Sequence, residues 1–441
     1  MKKPSTAVRP RKLPVKKSVT SGAEARARAL HKPRIALAMA GGGPLGAIYE
    51  IGALTALSEA LENLDLNALD LYIGVSAGGI LGAGLANGIT PREMCARFIE
   101  SEDSAEPFDP AALLQPAFGE YWQRARSLPP LLAEAAWRYL VNKRGRGFFS
   151  AFQRLSRAIP TGMFSNRGLQ TFLAATFNQP GRSDDFRKLK SKLLLIATDL
   201  DSGHSVQFGA AGHDHVPISL AATASSALPG LFPPVEIDGR FYLDGALKRT
   251  LHASVALKDG ADLVLCLNPI VPYDDSVIAD APRGPRAHRL IDGGLPVVLS
   301  QTVRAVIHSR MEIGMRQYAD DYPHADVLLF EPSKMDGALF FTNLFSYSSR
   351  RRLCEHAYQQ TRAELWQRRH TLQPVLARHG IKLNLDVLRD ASLTLVKSEA
   401  KPAPRPAPLP VTVVTTRLAE CLDDLERFVR ISRAQGAPTA A

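Results

Sequence analysis

Apolar residues in this chain fall into short unbroken runs, and between the runs they recur at three- and four-residue steps. Arg34-Ile-Ala-Leu-Ala-Met-Ala40 predicts a buried strand, which Gly41-Gly42-Gly43 breaks. From about Gly46 to Leu64 the apolar positions are Ile48, Ile51, Leu54, Leu57 and Leu61, the spacing of a helix with one buried face. Leu71-Tyr-Ile-Gly-Val75 predicts the next strand, and a second helix starts after Ser76. Strand, helix, strand, helix implies a mostly parallel sheet covered by helices on both faces, an α/β fold. Leu193–Thr198 predicts a strong strand, Asp199–Gly203 a turn, and Ser205–Phe208 the returning strand. Phe241–Leu243 is short and extended, and Ala261–Leu267 is another buried strand. Residues 300–319 and 346–370 read as helices. Residues 100–160 are helical and irregular, rich in aromatic and basic side chains.

With 45% hydrophobic and 22% charged residues, the 441-residue chain has the composition of a soluble globular protein. Its net charge of +11 is concentrated at one end, because residues 1–34 hold eleven Lys or Arg and one acid, Glu24. Residues 1–33 read as a basic, disordered leader that can meet anionic lipid, nucleic acid or an acidic protein face. The leader has no apolar core of the kind a secretory signal needs, although its Ser, Ala and Arg content suits an organellar transit peptide. Cys95, Cys266, Cys354 and Cys421 follow no metal or redox spacing, which suits a reducing, cytoplasmic setting. Leu71–Pro91 is uncharged and long enough to span a bilayer, but its six glycines, Ser76 and Asn87 favour a strand, a tight turn and a buried helix. The organisation expected is therefore a leader (1–33), a core (34–250) with a helical insertion near 100–160, and a C-terminal part packing on the core (251–395). A stiff Pro-rich linker (396–410) and an amphipathic helix with a tail (411–441) complete the chain. In that helix Leu418, Cys421, Leu422, Leu425, Phe428 and Val429 share a face.

Gly74-Val75-Ser76-Ala77-Gly78 fits the pattern G-x-S-x-G. A serine on a sharp strand-to-helix turn projects its hydroxyl into open space, and Gly74 and Gly78 relieve the crowding of that turn. Gly41-Gly42-Gly43-Pro44-Leu45-Gly46 lies between a strand and a helix. Consecutive glycine amides there can converge on a developing oxyanion. The same spacing also meets the dinucleotide pattern G-x-G-x-x-G. However, no acid closes a second strand about 20 residues on, and the second strand leads instead into the serine turn. There is no P-loop lysine. A serine nucleophile needs a partner. His213-Asp214-His215 reads as a polar loop and no zinc motif accompanies it. Asp244-Gly245 ends a short strand and by itself reads as a turn former.

The triple-glycine loop, G-V-S-A-G-G roughly thirty residues on, and the distant Asp244-Gly245-Ala246 together resemble the patatin-like phospholipases. Ala197–Gly203, Ala224–Val235 and, more weakly, Met163–Leu169 resemble that family too, and the likeness is best from Ile35 to about Leu247. The resemblance implies a patatin-like three-layer fold and a Ser–Asp dyad in place of a triad. Ser76 would be the nucleophile and Asp244 its partner, with Gly41, Gly42 and Gly43 as the oxyanion hole and the amide after Ser76 as a further donor. It implies hydrolysis of a carboxylic ester in a phospholipid or lysophospholipid, with no metal and no organic cofactor. One position departs from the family: where a basic residue is usual before the last loop glycine, this chain has Leu45.

Trp137-Arg-Tyr139, Lys143–Arg146 and Phe148-Phe149 mix aromatics with cations, as lipid interfaces do, and Leu339–Phe341, Phe345 and Arg350–Arg352 form a similar patch. With the leader they are the expected points of peripheral contact with an anionic membrane. Nothing matches a nucleic-acid reading motif, and oligomeric state is not legible. Three other readings stay open at this point. A Ser-His-Asp esterase or thioesterase would recruit one of His288, His308, His324, His356, His370 or His379. The others are a non-catalytic lipid-binding protein on the same fold and a dinucleotide-binding protein.

Overall fold

The structure, a computed structural model, describes residues 32–100, 161–274, 290–336, 339 and 347–396. The leader, the aromatic and basic segment around residues 137–149, Phe340, Phe341 and Phe345, the linker and the C-terminal amphipathic segment lie outside them.

Apolar runs become the strands of the main sheet. Strands β1 (Ile35–Met39), β3 (Leu71–Val75), β4 (Lys192–Asp199), β8 (Leu263–Leu267) and β9 (Asp326–Phe330) are mutually parallel, in the order β4-β3-β1-β8-β9. An antiparallel margin completes the sheet. β5 (Ser205–Phe208) and β7 (Arg240–Asp244) both pair with β4, and β6 (Val235–Ile237) pairs with β7. Because side chains alternate across a strand, each run feeds two cores. Leu37, Met39, Tyr72, Leu193 and Leu195 join one core, while Ala36, Ala38, Ile73, Val75, Leu194 and Ile196 join the other. A sheet buried on both faces needs runs of this kind, not alternation. This is the mostly parallel, helix-flanked α/β fold expected from the sequence.

The first core is covered by α1 (Gly43–Ala60), α2 (Ser76–Ala86), α3 (Arg167–Phe177) and α4 (Ile218–Ser225). The second is covered by α5 (Ala253–Lys258) and by Met311 and Tyr318 of α6 (Gly294–Asp321). Helix α7 (Tyr347–Gln367) packs along α1, and α8 (Arg369–Arg378) comes next in the chain. Several boundaries differ from the expectation. Helix α1 stops at Ala60, short of Leu64, because Leu61 turns extended and pairs with Leu383 across a small second sheet, β2 (Leu61–Glu62) with β10 (Lys382–Leu383). The helical span expected over 346–370 is two helices. The uncharged stretch 71–91 divides into β3 and α2, and among the described residues no helix is long and apolar enough to cross a membrane.

Helix α1 carries a buried acid. Glu50 is fully buried, and among the described residues nothing donates a hydrogen bond to either carboxylate oxygen. Burial pushes its pKa well above the ordinary carboxylate value, so the folded protein keeps a proton there to higher pH than the unfolded chain does. The unfolded chain releases that proton above pH ~4.3. The native state therefore binds more protons than the unfolded chain above that pH, and Glu50 makes the protein less stable as pH rises. Glu50→Met removes both the orphaned oxygens and the titration. We expect a gain of at least about 1 kcal/mol at pH 7, smaller at pH 4, read by urea unfolding at the two pH values.

Candidate active site

Sheet register brings the site together. Met39 lies level with Gly74 and Val75 level with Ile196, while Ala197 pairs with Asp244. Carried on to the ends of the strands, this register sets Gly41, Ser76, Ala197 and Asp244 at one level across four adjacent strands, β1, β3, β4 and β7. Neighbouring strands stand about 4.8 Å apart, so residues that are distant in sequence meet at the carboxyl ends of the central strands.

Ser76 turns the chain from β3 directly into α2. Its φ is +53°, in the left-handed region that a side chain enters at a cost of about 1–2 kcal/mol. The tight turn is held from behind by Ser225 of α4. The Ser76 amide donates to Ser225 Oγ at 2.9 Å, and Ser225 Oγ donates to the Ile196 carbonyl at 2.6 Å. Ser225 is fully buried and does not stand out in the sequence, although it lies in the Ala224–Val235 segment that carries part of the family likeness. Gly74 leaves room for the turn. A Cβ there would come within 2.6 Å of the Gly78 carbonyl oxygen and 2.7 Å of the Gly79 nitrogen. Both are backbone atoms of α2, so Gly74→Ala has to open the elbow. We expect it to cost about 1–3 kcal/mol and to abolish covalent labelling of Ser76 by a fluorophosphonate, checked by mass spectrometry on protein shown to be folded. Gly78 sits with similar closeness against Met39 and Ala40.

Asp244 ends β7 and is 3% exposed, while Ser76 is 6% exposed. The Asp-Gly turn read in the sequence is real, because Asp244 caps the short 3-10 turn Gly245–Leu247 by accepting the Ala246 amide at 2.8 Å. The same carboxyl lies close enough to the Ser76 side chain for that side chain to favour its charged form. Burial pushes the Asp244 pKa up to about 6, against the opposing effect of the hydrogen bond from the Ala246 amide and of the nearby Ser76 side chain. At neutral pH the group is thus an ionised carboxylate with far more basicity than an exposed aspartate.

The glycine loop lies beside this pair. A Cβ on Gly41 would stand 3.0 Å from the Ser76 Cβ and 3.3 Å from the Ala246 Cβ, so the loop lies tightly against the serine and a side chain there would push on both. Gly42 precedes helix α1 and packs against Gly46 and Pro269, and Gly43, with φ +59°, opens the helix. Helices α1 and α2 both begin at the site. The first amides of a helix have no acceptor within it and carry its partial positive charge. The arrangement can receive negative charge on an oxygen bound at Ser76. Leu45, the departure from the family, is 8% exposed and packs in the first core.

Several of the described histidines are engaged elsewhere. His308, His356 and His379 each face a carboxylate, Glu312 at 3.0 Å, Asp336 at 2.7 Å and Asp326 at 2.7 Å. His215 pairs with Asp238 at 2.9 Å, and His213 lies edge-on to Phe208. Buried His252 is held neutral, its pKa lowered to about 4 by burial, with Nε2 3.0 Å from the Arg249 carbonyl. His288 lies outside the described residues.

Set beside known proteins, residues 37–257 match the family model described as patatin-like phospholipase. That match spans half of the chain, and the chain belongs to the patatin-like phospholipase family. Among solved structures, VipD from Legionella pneumophila is 14% identical over 75% of this chain and 66% of its own, with a TM-score of 0.33. The type III effector protein ExoU is 15% identical over 76% of this chain and 53% of its own, with a TM-score of 0.32. The ExoU–SpcU complex from the type III secretion system of Pseudomonas aeruginosa gives 20% identity over 64% and 52%, with a TM-score of 0.23. The chain thus spans less than two thirds of the length of each of these structures.

Proposed function

We propose that the protein hydrolyses a carboxylic ester of a phospholipid or lysophospholipid through an acyl-enzyme on Ser76, with Asp244 as the base. The observation that carries this reading is the strained Ser76 at a strand-to-helix turn, set level with a buried carboxylate of raised basicity. Asp244 accepts the hydroxyl proton as Ser76 Oγ attacks the ester carbonyl. The amides of Gly41, Gly42 and Gly43, with that of Ala77, stabilise the oxyanion. Asp244 then returns the proton to the departing alcohol. Water attacks the acyl-serine with Asp244 again accepting the proton, and Asp244 returns that proton to Ser76 Oγ as the fatty acid leaves. Each of these steps uses only the protein's own groups and water. We assign the leader and the aromatic-basic segment around residues 137–149 to contact with an anionic membrane.

The test is release of fatty acid from mixed phospholipid and lysophospholipid micelles, run beside fluorophosphonate labelling. Turnover together with a single adduct on Ser76 supports the reading. An adduct elsewhere, or lipid binding with no turnover of lipid, thioester or short-chain ester, replaces it with a different nucleophile or with a lipid-binding role.

A further inference from the structure

Next to the Ser76–Asp244 pair lies a cavity that this mechanism does not use. Its volume is about 280 Å³, and it is bounded by the turn Ala246–Leu251 on one side and by α6 on the other. Ala246 joins the two places, since its amide binds Asp244, its side chain borders Gly41, and it also forms part of the cavity wall. The floor is apolar, made by buried Leu251, Met311 and Tyr318 with half-buried Met315. Arg249 and Arg310 also line it, and both are exposed residues. Among the described residues no carboxylate pairs with either guanidinium. The same helix leaves Leu299, Val303 and Val306 exposed away from the cavity, while exposed Ile313 lines it.

Each half of this arrangement selects a part of a ligand. Guanidinium groups bind phosphate by paired, charge-assisted hydrogen bonds. Two of them without acidic partners form a place for an anion that has none to supply its charge. A free phosphate has no use for an apolar floor, and a neutral acylglycerol has no use for the arginines. A phosphate-bearing acyl ester uses both. The glycine loop itself offers no cation, because Leu45 is turned into the core.

We infer that Arg249 and Arg310 form the subsite that holds the phosphate of the lipid substrate, with the hydrocarbon next to its ester lying on Leu251, Met311 and Tyr318. This assignment rests on the Ser76–Asp244 reading. It moves the choice of head group from the glycine loop to the turn after β7 and to α6.

The test compares lysophosphatidylglycerol with a monoacylglycerol of the same chain in the same neutral-detergent micelles. The full-length wild type is run beside Arg249→Gln, Arg310→Gln and the double variant, all with exposed side chains and each checked by thermal unfolding. The expected result is a fall of at least tenfold in the ratio of kcat/KM, phosphate-bearing over neutral, in the double variant, with Arg→Lys at both positions restoring part of it. A ratio that stays within twofold of wild type overturns the inference. Inorganic phosphate is added as an inhibitor of the wild type. Inhibition that is as strong as by the lysolipid and is lost in the double variant makes this a free-phosphate site, and overturns it too. Hydrolysis of p-nitrophenyl butyrate by the wild type reports on the Ser76 reading separately. If that activity is missing, calorimetric binding of the two lipids to wild type and double variant still decides the role of the arginines.

Discussion

Asp244→Asn will abolish lipid hydrolysis and at the same time make the protein more stable. The carboxylate is ionised at neutral pH in a buried place, where its pKa is about 6 against an ordinary value of 3.8. Each pKa unit corresponds to about 1.4 kcal/mol, so holding the charge there costs on the order of 3 kcal/mol at pH 7. An amide keeps the acceptor for the Ala246 N–H and carries no charge to desolvate. It cannot take the Ser76 proton, so turnover is expected to fall by at least about 10³-fold. The stability gain should be about 1–3 kcal/mol at pH 7, with part of the relief lost to the new amide hydrogens. The sign with pH comes from proton counting. Between pH 3.8 and 6 the folded state holds a proton that the unfolded chain has released, so wild-type stability falls as pH rises through this window. Below about pH 4 both states are protonated and the advantage of the variant disappears. Urea unfolding at pH 4 and pH 7 reads the difference. The same pKa sets the catalytic profile: wild-type kcat/KM should climb through about pH 6 and level off above it. A variant that is silent but no more stable at pH 7 would mean that Asp244 is not a strained base.

The second expected result concerns Ser76. Removing the nucleophile should lower turnover on the order of 10⁴-fold or more in both Ser76→Ala and Ser76→Gly. The two variants part company in stability. Glycine in place of alanine normally destabilises a helix start by loosening the unfolded chain, by about 0.4–1 kcal/mol. At Ser76 the backbone sits at φ +53°, where a Cβ costs about 1–2 kcal/mol. The usual order should therefore reverse or vanish, with Ser76→Gly at least as stable as Ser76→Ala. Chemical unfolding of the two inactive variants measures the strain stored at the elbow without any substrate. A clear advantage for alanine would show that the turn stores none.

Much of the fold is legible in the sequence because the physics is local. The strands β1, β3, β4, β5, β7 and β8 and the long helices derive from apolar runs and their period. The elements that are not legible are short or half-buried. Strand β6 is one, although Asp238 and Gly239, both at positive φ, form the two-residue turn that joins it to β7. Strand β9 is another, an edge whose inward side is only partly covered. Asp244 is ambiguous for a physical reason, since it does cap a turn, and the turn-forming role hides the catalytic one we propose. Ser225 carries no chemical signature, because a serine in an Ala-rich helix looks like any other small buried residue.

By itself the sequence determined where the chain must bend sharply and where it must be buried. Gly74 and Gly78 around Ser76, and three glycines after β1, are local statements about which backbone shapes are sterically open. Only the tertiary structure decided that Asp244, 168 residues beyond Ser76, stands level with it across β4, and that Ala246 links that pair to a cavity edged by Arg249 and Arg310. Register is set by the pairing of whole strands, and the basicity of Asp244 by everything that excludes water from it. Neither is a property of any residue taken alone, so neither is written at any one position of the chain.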